Sequence, residues 1–253
     1  MDKKILNKEL FTKRKDAYVH SSTHSNPAAL QKILDWLKPS DQQIILDVAT
    51  GGGQVAKTLA PLAKQVIATD LTPSMLSNVR NSIDETDNIL FVVADAEELP
   101  FLDESIDIVT CRIAAHHFPH PEKFIQEAYR VLKTGGKCLF IDNIVSENPD
   151  EDQFLNKLEA MRDPSHVRSK SLSEWKTLFL KHRFTFLQDD IRVKELPFQD
   201  WLTRTVDTEE VRQQVIDFIQ TADSKLKKYI HLKKKDNEIQ SFSIDEWMSM
   251  WEK

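Results

Sequence analysis

Ile45-Leu-Asp-Val-Ala-Thr-Gly-Gly-Gly53 joins a short apolar run to three consecutive glycines, and Val55, Leu59 and Leu62 follow at helical spacing. An apolar run of this length without polar alternation suits a strand buried on both faces of a parallel sheet. The glycines let the chain turn tightly from that strand into a helix. Strand, glycine turn and helix form the opening half of a βαβ unit.

Outward from this stretch the rhythm repeats. Apolar runs recur at Val66–Thr69, Ile89–Ala94, Ile106–Cys111 and Cys138–Ile141, and together with Ile44–Val48 they predict five strands. Between them, Thr72 caps a helix with Pro73 at its first position and Leu76, Val79 and Ile83 inward. Phe124, Ala128, Val131 and Leu132 mark another, stopped by Gly135-Gly136. Upstream, Asn26 and Pro27 open a helix that carries Leu30, Ile33, Leu34 and Leu37 on one face. Strands alternating with helices imply right-handed crossovers and a doubly wound α/β sheet.

After Ile141 the pattern changes. Residues 143–172 are polar and predict an insertion over one edge of the sheet. Ser171 and Glu174 then form a capping box for a helix with Trp175, Leu178 and Phe179. Two β-rich segments, Phe184–Pro197 and Ser241–Trp251, flank a helix with Val211, Val215, Phe218 and Ile219 inward. With no repeat and no linker, the chain reads as one domain. Its parts are an N-terminal arm (1–25), a cofactor-binding core (26–142), an insertion over the active site (143–172) and a C-terminal part completing the sheet (173–253).

Composition narrows the class. The 253 residues are 40% hydrophobic and 29% charged, with a net charge of −6. No apolar run approaches the roughly 20 residues of a membrane span, and the first residues lack the apolar core of a signal peptide. The two cysteines, Cys111 and Cys138, fall in predicted strands and read as reduced thiols, so a cytoplasmic protein is expected. The acidic balance speaks against a nucleic-acid binder. Six lysines between Lys225 and Lys235 read as a solvated helix end and loop.

Ligands of open α/β sheets sit outside the carboxyl ends of the strands. Those ends carry Asp47 before the glycine turn, Asp70, Asp95-Ala96 and Arg112. Asp70, about twenty residues beyond the turn, suits the hydroxyls of a ribose. Asp95 suits an exocyclic amine of adenine. Gly51-x-Gly53-x-x-Ala56 also satisfies the dinucleotide fingerprint, which keeps a nicotinamide cofactor in play. Asp47 discriminates, because a carboxylate at the mouth of the turn repels a pyrophosphate and attracts the ammonium and sulfonium of S-adenosylmethionine.

These residues resemble the class I S-adenosylmethionine-dependent methyltransferases. Ile45–Gly53 is similar to their first motif, Val66-Ile-Ala-Thr-Asp70 to the second and Ala94-Asp-Ala-Glu-Glu-Leu-Pro-Phe101 to the third. Ser105–Arg112 and Val131–Lys137 resemble the fourth and fifth. The style is that of the ubiquinone/menaquinone-biosynthesis methyltransferases and, around Cys111–Phe118 and Arg162–Arg168, of a bacterial small-molecule branch. The resemblance implies a mostly parallel, seven-stranded Rossmann-like sheet with an antiparallel last strand and a small insertion after strand 5. It also implies methyl transfer to a small-molecule acceptor, by a monomer or homodimer that binds neither nucleic acid nor membrane. Ala49 stands where many members have a glycine, the smallest possible departure, and little loss is expected.

The expected cofactor contacts are Tyr18, Asp47, Ala49, Gly51, Gly53, Asp70, Leu71, Asp95, Ala96 and Arg112. His116 and His117, just past the fourth strand, are the candidates for a general base. His20, Arg162, His166 and Arg168 are the candidates for acceptor binding. Each also has a structural reading: carboxylates as turn caps, histidines packed at a sheet edge, arginines paired with nearby acids. The crowding of His116, His117 and His120 raises the question of a metal. Adjacent histidines on a proline-stiffened turn diverge, and no metal is expected. Two other readings stand beside methyl transfer, a nicotinamide-dependent oxidoreductase and a binding module without turnover.

Overall fold

The computed structural model describes residues 3–19, 26–83 and 88–253, with residues 14–19 described by their main chain. The N-terminal half runs α1 (Lys3–Val19), α2 (Pro27–Leu37), β1 (Ile44–Val48), α3 (Gln54–Leu59), β2 (Gln65–Asp70), α4 (Pro73–Asn81) and β3 (Ile89–Val93). Then come β4 (Ile106–Arg112), α5 (Pro121–Val131), β5 (Leu132–Ile144), α6 (Pro149–Arg162) and α7 (Leu172–Lys181). The chain closes with β6 (Thr185–Pro197), α8 (Phe198–Thr203), α9 (Glu209–Thr221), α10 (Ser224–Tyr229), β7 (Lys233–Lys235) and β8 (Glu238–Glu252).

The sheet order is β3-β2-β1-β4-β5-β8-β6, with β1 to β5 parallel and β8 antiparallel to β5 and β6. This is the expected Rossmann-like fold, with one addition: β7, three lysines long, pairs with β8 and makes the sheet eight-stranded. Alternation sorts the side chains. Leu46 and Val48 of β1 pack with α5 and α7 on one face, while Ile45 packs with α2 and α3 on the other. Asn26 caps α2 by accepting from the Ala29 N–H at 3.1 Å, as its sequence predicts.

Several boundaries differ from expectation, each for a physical reason. Ile89–Val93 lies at the sheet edge, so Leu90 and Val93 are exposed rather than buried on both faces. Leu62 ends a short 3-10 turn and is also exposed. Gly135-Gly136 does not end α5. The helix stops at Val131, and the glycines lie inside β5, where the β4–β5 register jumps from Ile106↔Leu132 to Ile108↔Lys137. Gly135 takes φ +76° in this bulge and donates its N–H to the Lys253 carbonyl at 2.9 Å.

The stretch 143–172 is more ordered than a polar insertion. α6 buries Phe154, Leu155 and Leu158 in a third core built with α8, α9, α10 and one end of β8. This helical cap stands beside the carboxyl ends of the strands, where it helps to wall a cleft. The arm is helical as α1, and it lines the same cleft with Lys4, Asn7 and Phe11. Among the described residues, no helix is long and apolar enough to cross a membrane.

Candidate functional site

A cleft of about 1450 Å³, counting its open mouth, lies at the carboxyl ends of the parallel strands. Asp47, Ala49, Gly51, Asp70 and Leu71 line it, as do Asp95, Ala96 and Arg112. His116, His117 and Arg162 line it too. The structure thus gathers most of the predicted site residues around one space. Gly53, His166 and Arg168 stand behind its wall. The side chain of Tyr18 lies outside the described residues, as does His20.

One end of the cleft is acidic. Asp47 is buried and accepts from the hydroxyls of Thr50 at 2.5 Å and Thr110 at 2.7 Å. Burial pushes its pKa up, against the pull of those bonds and of the Arg112 charge. Asp70 accepts the N–H groups of Gly51 at 3.1 Å and Thr72 at 2.8 Å, and burial raises its pKa to about 6. Asp95 accepts from the Glu97 N–H at 2.9 Å and from Lys4 Nζ at 2.6 Å. Lys4 also pairs with Glu97 at 2.7 Å, while Lys3 donates to the carbonyls of Pro164 and His166. The first turn of α1 therefore straps the acidic end to the cap.

The glycine turn explains its own composition. Gly51 and Gly53 take φ +53° and +72°, and a Cβ on Gly53 would lie 2.3 Å from Val79 Cγ1. Gly53 thus sets how closely α3 packs on α4, which is a structural duty distinct from touching a ligand. Ala49 has φ +53° as well. An L-residue holds that conformation at a cost of about 1 kcal/mol, so the departure from glycine is felt more than its small size suggests.

The middle of the cleft holds the histidines. Asp142 in β5 accepts the His116 N–H at 2.9 Å and sits 2.6 Å from His116 Nδ1. Burial lowers the pKa of His116, but the Asp142 carboxylate outweighs it and the net shift is upward. Holding the Nδ1 proton leaves Nε2 as the acceptor of the neutral ring. His117 is different: burial and the neighbouring His116 lower its pKa to about 4, and its Nδ1 is 3.2 Å from Ser165 Oγ. His166 packs 5.7 Å from the His116 ring, bonds Asn156 at 3.0 Å, and is lowered to about 3 by burial and by His116. Among the described residues, no group of three or more metal-ligating side chains is arranged to hold an ion.

The arginines of the cap divide. Arg162 donates to Glu159 at 2.8 Å and to Thr205 at 3.2 Å, and its guanidinium lies 4.9 Å over Trp201. Arg168 pairs outside the cleft with Asp152 at 2.7 Å and Glu174 at 2.5 Å, which holds α6 to α7. The far end of the cleft is lined by residues that carried no sequence signal: Asn143, Lys194, Leu196, Trp201, Arg204 and Ile244. Lys194 Nζ donates to Asn143 Oδ1 at 2.6 Å and to Glu246 Oε2 at 3.1 Å. Burial opposes the charge of Glu246, but Lys194 and Arg192 keep its pKa at about 2.

Comparison with known proteins agrees with this geometry. The family described as "Methyltransferase domain" matches residues 46–140. The chain is 33% identical to the methyltransferase YcgJ of Bacillus subtilis over 222 residues, 86% of this chain and 87% of that protein. A solved structure from Bacillus halodurans, put forward as a methyltransferase, superposes with a TM-score of 0.86 at 37% identity, covering 89% of this chain and 98% of that one. A shorter match, 42% identical over 113 residues, is to the ubiquinone/menaquinone biosynthesis C-methyltransferase UbiE of Rickettsia typhi, covering 41% of this chain and 46% of that protein. With the order of its sheet, its glycine turn and these relatives together, the chain belongs to the class I S-adenosylmethionine-dependent methyltransferases.

Proposed function

We propose that this methyltransferase moves a methyl group from S-adenosylmethionine to a small-molecule acceptor, with His116 as general base when the acceptor must lose a proton. The observation that carries the cofactor assignment is the acidic end of the cleft, where Asp47, Asp70, Asp95 and Glu97 stand around the glycine turn and outnumber the cations Lys4 and Arg112 beside them. A pyrophosphate would meet these carboxylates at a repulsive cost, whereas a cofactor bearing an ammonium and a sulfonium is attracted. When bound, S-adenosylmethionine supplies a methyl on a sulfonium, already a good leaving group.

The residues of the chain then have separate tasks. Asp70 is suited to accept from ribose hydroxyls and Asp95 from the adenine amine, while Ala96 and Leu71 wall the base. Asp47 attracts the cationic end, and Arg112 lies beside it. Alignment of donor and acceptor and exclusion of water supply most of the acceleration of such a displacement. α1 and the cap close the space in which this happens. His116 is the better base of the adjacent pair, because Asp142 favours its protonated form whereas burial makes His117 a weak base near 4.

Calorimetry decides the cofactor. S-adenosylhomocysteine should bind the full chain, NAD should not, and Asp47→Asn should weaken binding of S-adenosylmethionine while leaving the fold intact. Tight NAD binding with no S-adenosylhomocysteine binding would overturn the reading in favour of an oxidoreductase. A screen of acceptors with methyl-labelled cofactor then separates an enzyme from a binding module.

A further inference from the structure

β6 closes one side of the sheet, and among the described residues no strand pairs with its outer edge. It runs for 13 residues, where an edge that avoids other chains is usually very short. Such an edge presents a row of unpaired N–H and C=O groups that a further strand can take up. Free charge commonly blunts an edge of this kind, but every charged side chain of β6 is already paired within the chain. Asp189 is held by Lys176 at 2.8 Å and by the Trp247 indole N–H at 3.0 Å, and Asp190 is held by Lys32. Arg192 and Lys194 pair with Glu246 at 2.5 and 3.1 Å, and Glu195 pairs with Lys233 at 2.8 Å. What the edge leaves open is apolar. Ile191 is 47% exposed and Val193 60%, with Phe186 and Leu187 exposed nearer the start of the strand. Their register with Trp247 and Asp245 of β8 places Ile191 and Val193 on one face of the sheet.

We propose that β6 is the interface of a homodimer, pairing antiparallel with β6 of a second copy about a two-fold axis through Ile191. The strand itself selects this occupant, because a two-fold contact needs a surface that complements itself. With the axis at Ile191, Asp190 stands opposite Arg192 of the second copy, and Arg192 opposite its Asp190. Asp189 then meets Val193 and Gln188 meets Lys194, so no like charges face each other. Moving the axis to Asp189, Asp190 or Arg192 sets that charge against itself. Moving it to Val193 sets Arg192 against Lys194, which is also unfavourable. The axis at Ile191 gathers the apolar side chains as well, the two isoleucines directly opposite and each Val193 diagonal to the other copy's Ile191. Pairing thus satisfies the main-chain groups of the edge and removes its exposed apolar stripe from water.

Sedimentation velocity on the full chain, across about a hundredfold range of concentration, should show a monomer–dimer equilibrium. Ile191→Lys and Val193→Lys each place a charge in the seam and should raise the dimer dissociation constant about tenfold or more. Both positions are exposed, so the circular dichroism of the variants should match that of the parent chain. The register has its own readout. On oxidation, Ile191→Cys should crosslink two copies, because Cα atoms directly opposite each other lie about 5 Å apart. Val193→Cys should not, because four residues of strand, about 13 Å, separate the two copies of that position. The native Cys111 and Cys138 are buried and do not compete. A monomer at every concentration, a dimer unmoved by both lysine variants, or failure of Ile191→Cys to crosslink would each overturn the proposal.

Discussion

Asp142 holds His116 twice, accepting its main-chain N–H at 2.9 Å on one carboxylate oxygen and lying 2.6 Å from its ring Nδ1 with the other. The residue at the end of β5 thus fixes both where the β4–α5 turn runs and how the histidine ring is oriented. Because the pKa of His116 is raised, the charged pair contributes its full stability below the unfolded histidine value of about 6.5 and loses it as pH rises through the higher folded value. Asp142→Asn should therefore cost more at pH 6 than at pH 9, by about 3–5 kcal/mol at the acidic end, where a buried charge loses its partner. Urea unfolding at the two pH values measures this. Histidine NMR should show the His116 midpoint falling in the variant.

His117 and His166 act in the opposite sense. Their folded values, about 4 and about 3, lie below the unfolded value, so protonation favours the unfolded chain and stability declines as pH falls below about 6.5. At pH 5.5 each should account for about 1.4 kcal/mol of lost stability. His166→Gln should lose correspondingly less than the parent chain between pH 7.5 and 5.5. Equal losses in the two proteins would refute the assignment.

The glycine turn offers a pair of opposed substitutions. Ala49→Gly relieves a left-handed φ of +53° and should stabilise by about 0.5–1 kcal/mol, read as a rise in Tm. Gly53→Ala places a Cβ against Val79 in a conformation it already resists, and should destabilise by about 2 kcal/mol or more. Adding Val79→Ala should remove the steric part of the second loss and leave the backbone part, about 1 kcal/mol.

Asp70→Ala should weaken S-adenosylhomocysteine binding by about 1.5–3 kcal/mol, the range for hydrogen bonds to a charged group. With the Asp70 pKa near 6, affinity of the parent chain should fall by up to about tenfold per unit as pH drops below 6. The variant should show no such dependence. Calorimetry on both proteins at pH 7 and 5 checks the two statements together.

Lys4 ties α1 to Asp95 and Glu97 through partly exposed ion pairs, which contribute little to global stability. Lys4→Met should leave Tm within a degree or two, yet amide exchange in α1 should rise several-fold while β1, β2 and β4 remain protected. Unchanged exchange in α1 would show that Phe11 and its neighbours dock the helix without the lysine.

Local chemistry made much of this protein legible from the chain itself. Apolar runs located β1, β2 and β4, because strands buried on both faces leave no alternative pattern, and Asn26-Pro27 and Ser171-x-x-Glu174 announced helix starts through caps that need only neighbours in sequence. The glycine turn and the acids at Asp47, Asp70 and Asp95 were readable for the same reason: each stands at the end of a strand, and parallel strands must present those ends together. Tertiary structure decided what depends on distant partners. Asp142 meets His116 across 26 residues and Lys4 meets Asp95 across 91, pairings no local motif encodes. Arg162 and Arg168 looked alike in sequence, yet the turn after α6 sets one in the cleft and ties the other to Asp152 and Glu174 behind it. Lys194, Trp201 and Arg204 became a charged and aromatic wall only when β6 and α8 docked on β8, because burial, not identity, turns a lysine or arginine on a strand or helix into part of a site.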